Sequence, residues 1–83
     1  MDKSIHSAQY ATFLKAFREA RRRKGITQVG LAERVGETQS FISKCERGER
    51  RVDLVELRTF CAAMEIPLNE FVSRFQKMLT RTQ

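Results

Sequence analysis

Histidine occurs once in these 83 residues and cysteine twice, and each scarcity excludes something. His6 stands alone in a short N-terminal stretch with no apolar period, so there is no His/Cys spacing that could hold a metal. No glycine-rich loop offers to cradle a phosphate, and so short a chain leaves no room for a substrate cavity. The expectation is a protein that is not an enzyme and needs neither metal nor cofactor. No apolar run approaches the roughly 20 residues that cross a bilayer, and the N-terminus lacks the apolar core of a signal peptide. A cytoplasmic protein with no membrane role is expected. Cys45 and Cys61 each fall on the apolar face of a predicted helix, which suits two reduced, buried thiols better than a disulfide. Internal repeats, low-complexity segments and linkers are also missing, which leaves one small domain.

What the chain has is positive charge, unevenly placed. Sixteen basic and ten acidic residues give +6. Residues 1–25 carry seven basic and two acidic residues, +5; residues 26–51 carry five and four, +1; residues 52–83 carry four and four, zero. Such asymmetry suits a molecule with one end toward phosphates and the other toward protein.

Apolar periodicity predicts five helices. Tyr10, Phe13, Leu14, Phe17 and Ala20 recur at helical spacing, giving a first helix from about Ser7 to Lys24. It ends in Arg21-Arg22-Arg23-Lys24 before Gly25. Two readings of that basic run stand together: cations complementing the negative end of the helix dipole, and phosphate contact. Thr27 can cap a second helix whose inner face is Leu31, Ala32 and Val35, with Gly36 to stop it. Gly30 inside that helix should cost up to ~1 kcal/mol relative to Ala. Thr38 can cap a third, with Ile42 and Cys45 inward. Asp53 and Glu56 have the spacing of a capping box for a fourth helix, built on Leu54, Leu57, Phe60, Cys61 and Met64. Glu65 follows it where a left-handed residue is wanted, and Glu there would be strained, so a different turn is expected. After Pro67, Leu68, Phe71, Val72, Phe75, Met78 and Leu79 form the stripe of a fifth helix, about 68–79. Residues 1–6 and 80–83 then lie outside a single 7–79 domain, as flexible ends.

The second and third helices, from Thr27 to Gly48, form a helix-turn-helix. The outer face of the third carries Gln39, Ser40, Ser43, Lys44 and Arg47, all polar and none acidic. These are side chains that hydrogen-bond base edges in the major groove. Phe41 flanks the apolar face, open either to partial burial or to a thymine methyl.

Arg21, Gly25-Ile26-Thr27-Gln28, Leu31-Ala32, Val35-Gly36, Ile42-Ser43-Lys44 and Glu46-Arg47-Gly48, followed by Leu54, Leu57, Ala62-Ala63-Met64, Ile66 and Phe71, resemble in order and spacing the Cro/phage-repressor helix-turn-helix family, also called the xenobiotic-response-element family. The resemblance spans roughly residues 10–75. Val29, Gly30 and Glu65 depart from its pattern. It implies an all-α, five-helix, lambda-repressor-like fold and sequence-specific binding of double-stranded DNA. It also implies that Arg21 pairs with Glu46 structurally, and that Gln28 contacts a phosphate and braces Gln39.

On this reading Gln39, Ser40, Ser43 and Lys44 read bases, and Thr27, Gln28, Arg47, Arg50, Arg51 and Arg23 meet phosphates. The C-terminal stripe exceeds what an 83-residue core needs, so Phe71, Phe75, Met78 and Leu79 are expected at a two-fold dimer interface, as the resemblance also implies. A small stand-alone regulator of this kind is similar to phage repressors and to the controller proteins of restriction-modification systems. The expected role is repression or autoregulation from an inverted repeat, with RNA polymerase or another protein as a further partner if it activates. The competing expectation is an antitoxin-like subunit whose main partner is a protein; the few residues outside the domain argue against it.

Overall fold

The first helix runs along the last, and the three short helices between them close over one side. The computed structural model describes residues 3–81, with side chains from residue 8 onward. Helix α1 spans Lys3–Arg23, α2 Gln28–Val35, α3 Gln39–Glu46, α4 Leu54–Ala63 and α5 Leu68–Arg81. No strand occurs among the described residues. The all-α, lambda-repressor-like architecture read from the sequence is the one found.

Two boundaries differ from the expectation. Helix α1 begins at Lys3, within the stretch read as a flexible end. Once a helix is nucleated each added residue costs little, and residues 3–7 hold neither glycine nor proline to stop it. The side chain of His6 lies outside the described residues. Helix α5 continues through Thr80, whose hydroxyl donates to the Gln76 carbonyl, to Arg81, a cation at the negative end of the dipole.

Phe13 is the hub of the core. Its ring meets Phe71 and Phe75 edge-on, each at 6.0 Å between centroids, and lies 6.3 Å from Phe17. Phe17 in turn stacks on Phe60 at 5.3 Å, which carries the core from α1 to α4. Leu31, Ile42, Cys45, Cys61 and Met64 complete it, all without solvent access or nearly so. The two cysteines are separate buried thiols.

Four helices end alike. After α1, α2, α3 and α4 the chain turns through a left-handed residue, and the next amide reaches back five residues, as from Ile26 to Arg21 (3.1 Å) and from Glu37 to Ala32 (2.9 Å). Three of the left-handed residues are glycines. The fourth is Glu65, at φ 60°. The altered turn expected there does not occur: Ile66 N–H bonds the Cys61 carbonyl at 2.9 Å, and the hydrogen-bonding outweighs the strain of a side chain in that conformation.

Candidate DNA interface

Helix α3 is held at its start by Thr38, which has extended backbone geometry and accepts from the Phe41 amide at 3.0 Å. Ile42, Cys45 and Glu46 face inward. Gln39, Ser40, Lys44 and Arg47 are exposed, and Ser43 is half-buried. Helix α2 meets α3 across the turn at Gly36. Thr27 caps α2 by accepting from the Gly30 amide at 2.9 Å, and its hydroxyl proton remains to be donated. Gly30 has a further reason to lack a side chain: a Cβ there would stand 3.2 Å from that hydroxyl oxygen.

A buried ion pair sets the height and tilt of α3. Arg21 and Glu46 are 6% and 4% exposed. Arg21 donates from Nε to Glu46 Oε2 at 2.6 Å and from Nη2 to Oε1 at 3.0 Å, a fork-on-fork pair, and from Nη1 to the Ile26 carbonyl at 2.9 Å. Gln28 Nε2 donates to the same Glu46 Oε1 at 3.0 Å, and Gln39 Nε2 donates to Gln28 Oε1 at 2.7 Å. The chain of donors runs one way only. A carboxylate can only accept, so Gln28 must show Glu46 its NH2 group, which turns its oxygen to Gln39. Gln39 must answer with its own NH2. One N–H and the amide oxygen of Gln39 are left free, a donor and an acceptor side by side, aimed away from the core.

The basic residues of the following loop are already partnered. Arg47 donates to Glu49 at 2.7 Å and to the Ser43 hydroxyl. That pairing holds the Glu49 carboxyl below the usual carboxylate range. Arg50 donates to Glu56 at 2.6 Å and covers the Phe41 ring at 4.6 Å. Arg51 covers the Tyr10 ring at 4.6 Å. Arg23 lies elsewhere, in a cleft between α1 and α5 with Lys24, Glu70 and Arg74, and no described contact joins it to α3.

A helix-turn-helix family model matches residues 17–71, two thirds of the chain. The chain is similar over 92% of its length, at 42% identity and a TM-score of 0.83, to the structure of an XRE-family-like protein from Pseudomonas syringae pv. tomato DC3000, of which it covers 93%. It is also similar, over 77% of its length at 34% identity and a TM-score of 0.69, to the restriction-modification controller protein C.AhdI from Aeromonas hydrophila, of which it covers 97%. Among curated proteins none matches significantly.

The chain belongs to the xenobiotic-response-element helix-turn-helix family. As a member of that family it is a DNA-binding transcriptional regulator, with double-stranded DNA as its partner. No helix among the described residues is long and apolar enough to cross a membrane.

Two residues that the sequence reading passed over hold this family scaffold together. Arg18, one turn before Arg21, donates to the Glu46 carbonyl at 3.1 Å and so satisfies an orphan acceptor at the end of α3. Arg34, in the last turn of α2, does the same for the Ala63 carbonyl of α4 at 2.8 Å. The signal for Arg18 was present, since it stands one turn from Arg21 on the same face.

Two of the four residues expected at a dimer face are buried within the chain. Phe71 and Met78 are 3% and 8% exposed, already buried in the subunit's own core, so a partner could cover nothing more of them. Phe75 is half-buried against Phe13, and Leu79 is half-buried. Phe71 and Phe75 both meet the Phe13 ring of α1, which packs along α5. The most exposed large apolar side chains are at the head of α4, where Leu54 and Val55 are 66% and 73% exposed; Val29 on α2 and Val72 on α5 are also exposed. Leu54 shares a groove with Tyr10, Phe13, Val52, Leu57 and Phe75.

Proposed function

We propose that the protein is a homodimeric regulator that reads an inverted-repeat operator, with one α3 per subunit in successive major grooves about 34 Å apart. The single observation behind this reading is the hydrogen-bonded chain from Arg21 through Glu46 and Gln28 to Gln39. It spends a buried ion pair on fixing an exposed amide at the first position of α3. The donor and acceptor that Gln39 keeps free match adenine N7 and N6. Lys44, one helical turn and a half further on, is suited to guanine O6 and N7, and Ser40 and Ser43 to either purine or a phosphate. Thr27, Gln28, Arg47 and Arg51 serve the flanking phosphates; Arg47 gives up Glu49 to do so. Arg23 is retained only as a more distant phosphate contact.

The dimer forms through the groove between Leu54 and Phe75, with the exposed Val55 beside Leu54. Leu54 and Val55 support this: two large apolar side chains at the head of one helix serve no fold of the monomer. Repression or autoregulation in the cytoplasm is the favoured role, in keeping with the controller protein among its structural relatives.

Substituting Gln39 or Lys44 with Ala tests the assignment. Each should weaken binding to a selected operator by ~1–3 kcal/mol and leave binding to random duplex nearly intact. Equal losses on both would remove the residue from base reading.

A further inference from the structure

The loop after α3 holds a cation whose surroundings do not suit a phosphate contact. Arg50 Nη2 donates to Glu56 Oε2 at 2.6 Å, and its Nη1 to the Arg51 carbonyl at 3.1 Å. Its guanidinium carbon lies over the Phe41 ring, 4.6 Å from the centroid. Glu56 is no stray acid. Its other oxygen accepts from the Asp53 amide at 3.0 Å, while Asp53 accepts from the Glu56 amide at 2.7 Å, so it is half of the capping box that starts α4. Phe41 lies in the first turn of α3, its amide tied to Thr38, and its ring packs toward Phe60 of α4 at 6.5 Å.

We infer that Arg50 is a positioning residue: it clasps Phe41, in the first turn of the recognition helix, to the capping box of α4, and so sets the pose of the turn that carries Gln39 and Ser40. The inference rests on the reading of α3 as the recognition helix. It assigns α3 two fastenings. The Glu46 network holds its end and, through Gln28, the Gln39 amide, and Arg50 holds the Phe41 side of its first turn. The charge of Arg50 is spent inside the subunit. The described bonds of Arg50 use two of its five N–H donors, but a phosphate on the others would stand beside the Glu56 carboxylate, which repels it. Glu56 holds Arg50 more firmly protonated than an ordinary arginine, and Arg50 with the Asp53 amide keeps the Glu56 carboxyl below its usual range.

Two variants separate this from a phosphate contact, because the two roles predict opposite signs. Glu56→Gln keeps the capping box, since a Gln oxygen also accepts from the Asp53 amide, but it weakens the hold on Arg50. Under the positioning role, Glu56→Gln and Arg50→Gln both weaken binding to the selected operator. Both leave the salt dependence of binding to a random-sequence duplex as in the natural chain. They also shift the amide resonances of Gln39, Ser40 and Phe41 in the free protein in the same pattern. Under a phosphate role, Arg50→Gln lowers the slope of log K against log salt by about 0.9, and Glu56→Gln tightens binding to both duplexes by releasing the cation. Either result, or unchanged Gln39–Phe41 resonances, overturns the inference. The resonance measurement needs no DNA. A natural chain that binds neither duplex would therefore sink the DNA reading while the resonances still decide the clasp.

Discussion

Glu46→Ala should be among the most damaging single substitutions in this chain. The Glu46 side chain accepts three hydrogen bonds, two from Arg21 and one from Gln28, and all are lost together. Arg21 would keep only the Ile26 carbonyl for a guanidinium that is almost wholly out of water. Removing one partner of such a buried pair costs about 3–5 kcal/mol, because the charge left behind is neither solvated nor paired. A chain of 83 residues has in total roughly 4–12 kcal/mol of stability. At about 4–8 °C per kcal/mol for a domain of this size, Tm should fall by at least about 12 °C. The informative companion is the double variant Arg21→Met with Glu46→Leu. It replaces the pair with apolar groups of similar length and should recover most of the stability, since a buried ion pair contributes little net. It should not recover operator binding, because Gln28 then has no carboxylate to orient it and Gln39 loses its fixed amide. Urea unfolding followed by circular dichroism, together with operator titration, reads both quantities. A loss under ~1 kcal/mol for Glu46→Ala would show that water reaches the pair. A double variant that binds operator normally would refute the positioning argument outright.

Leu54→Glu, at an exposed site outside the core, should leave the fold intact and convert the proposed dimer to monomer in sedimentation; a dimeric mass would put the interface elsewhere. Glu65→Gly should raise stability by up to ~1 kcal/mol, since glycine takes the left-handed conformation without the penalty that a side chain carries and gives back only part of that gain in chain entropy; a fall in Tm would contradict the strain. Burial pushes the Cys61 thiol from 9.0 up to about 11. The unfolded chain therefore loses that proton first. The stability Cys61 contributes is complete below about pH 9 and is lost as pH rises toward 11, in the end by about 2–3 kcal/mol. Comparing the alkaline unfolding of the natural chain with that of Cys61→Ala isolates the effect, and parallel profiles would contradict it.

The helices and their caps were legible because each is local. Thr27, Thr38 and the Asp53–Glu56 box announce starts, Gly25, Gly36 and Gly48 announce ends, and the stripe from Tyr10 to Ala20 fixes the face that α1 buries. The outward set on α3 follows from the same 100° geometry, given Ile42 and Cys45 inside. What periodicity could not supply was which faces meet. Six apolar residues on α5 read equally well as core or as interface, and only the packing of α1 along them shows Phe71 and Met78 buried within the chain. The partners of the loop arginines were hidden for a related reason. Composition shows the charges of Arg47, Arg50 and Arg51, but Glu49, Glu56 and the rings of Phe41 and Tyr10 are placed against them by chain reversals that no pattern announces. Glu65 shows the limit of local propensity, since a turn that closes two backbone hydrogen bonds imposed its conformation on an unsuited residue.

Selection of bound sequences from a random double-stranded pool, at near-physiological salt, tests the central claim most directly. The account predicts an enriched inverted repeat whose half-sites are about one helical turn apart, with adenine and guanine at the positions that Gln39→Ala and Lys44→Ala relax. A pool that stays random, bound weakly and released by modest salt, would contradict it and leave the helix-turn-helix without a sequence to read.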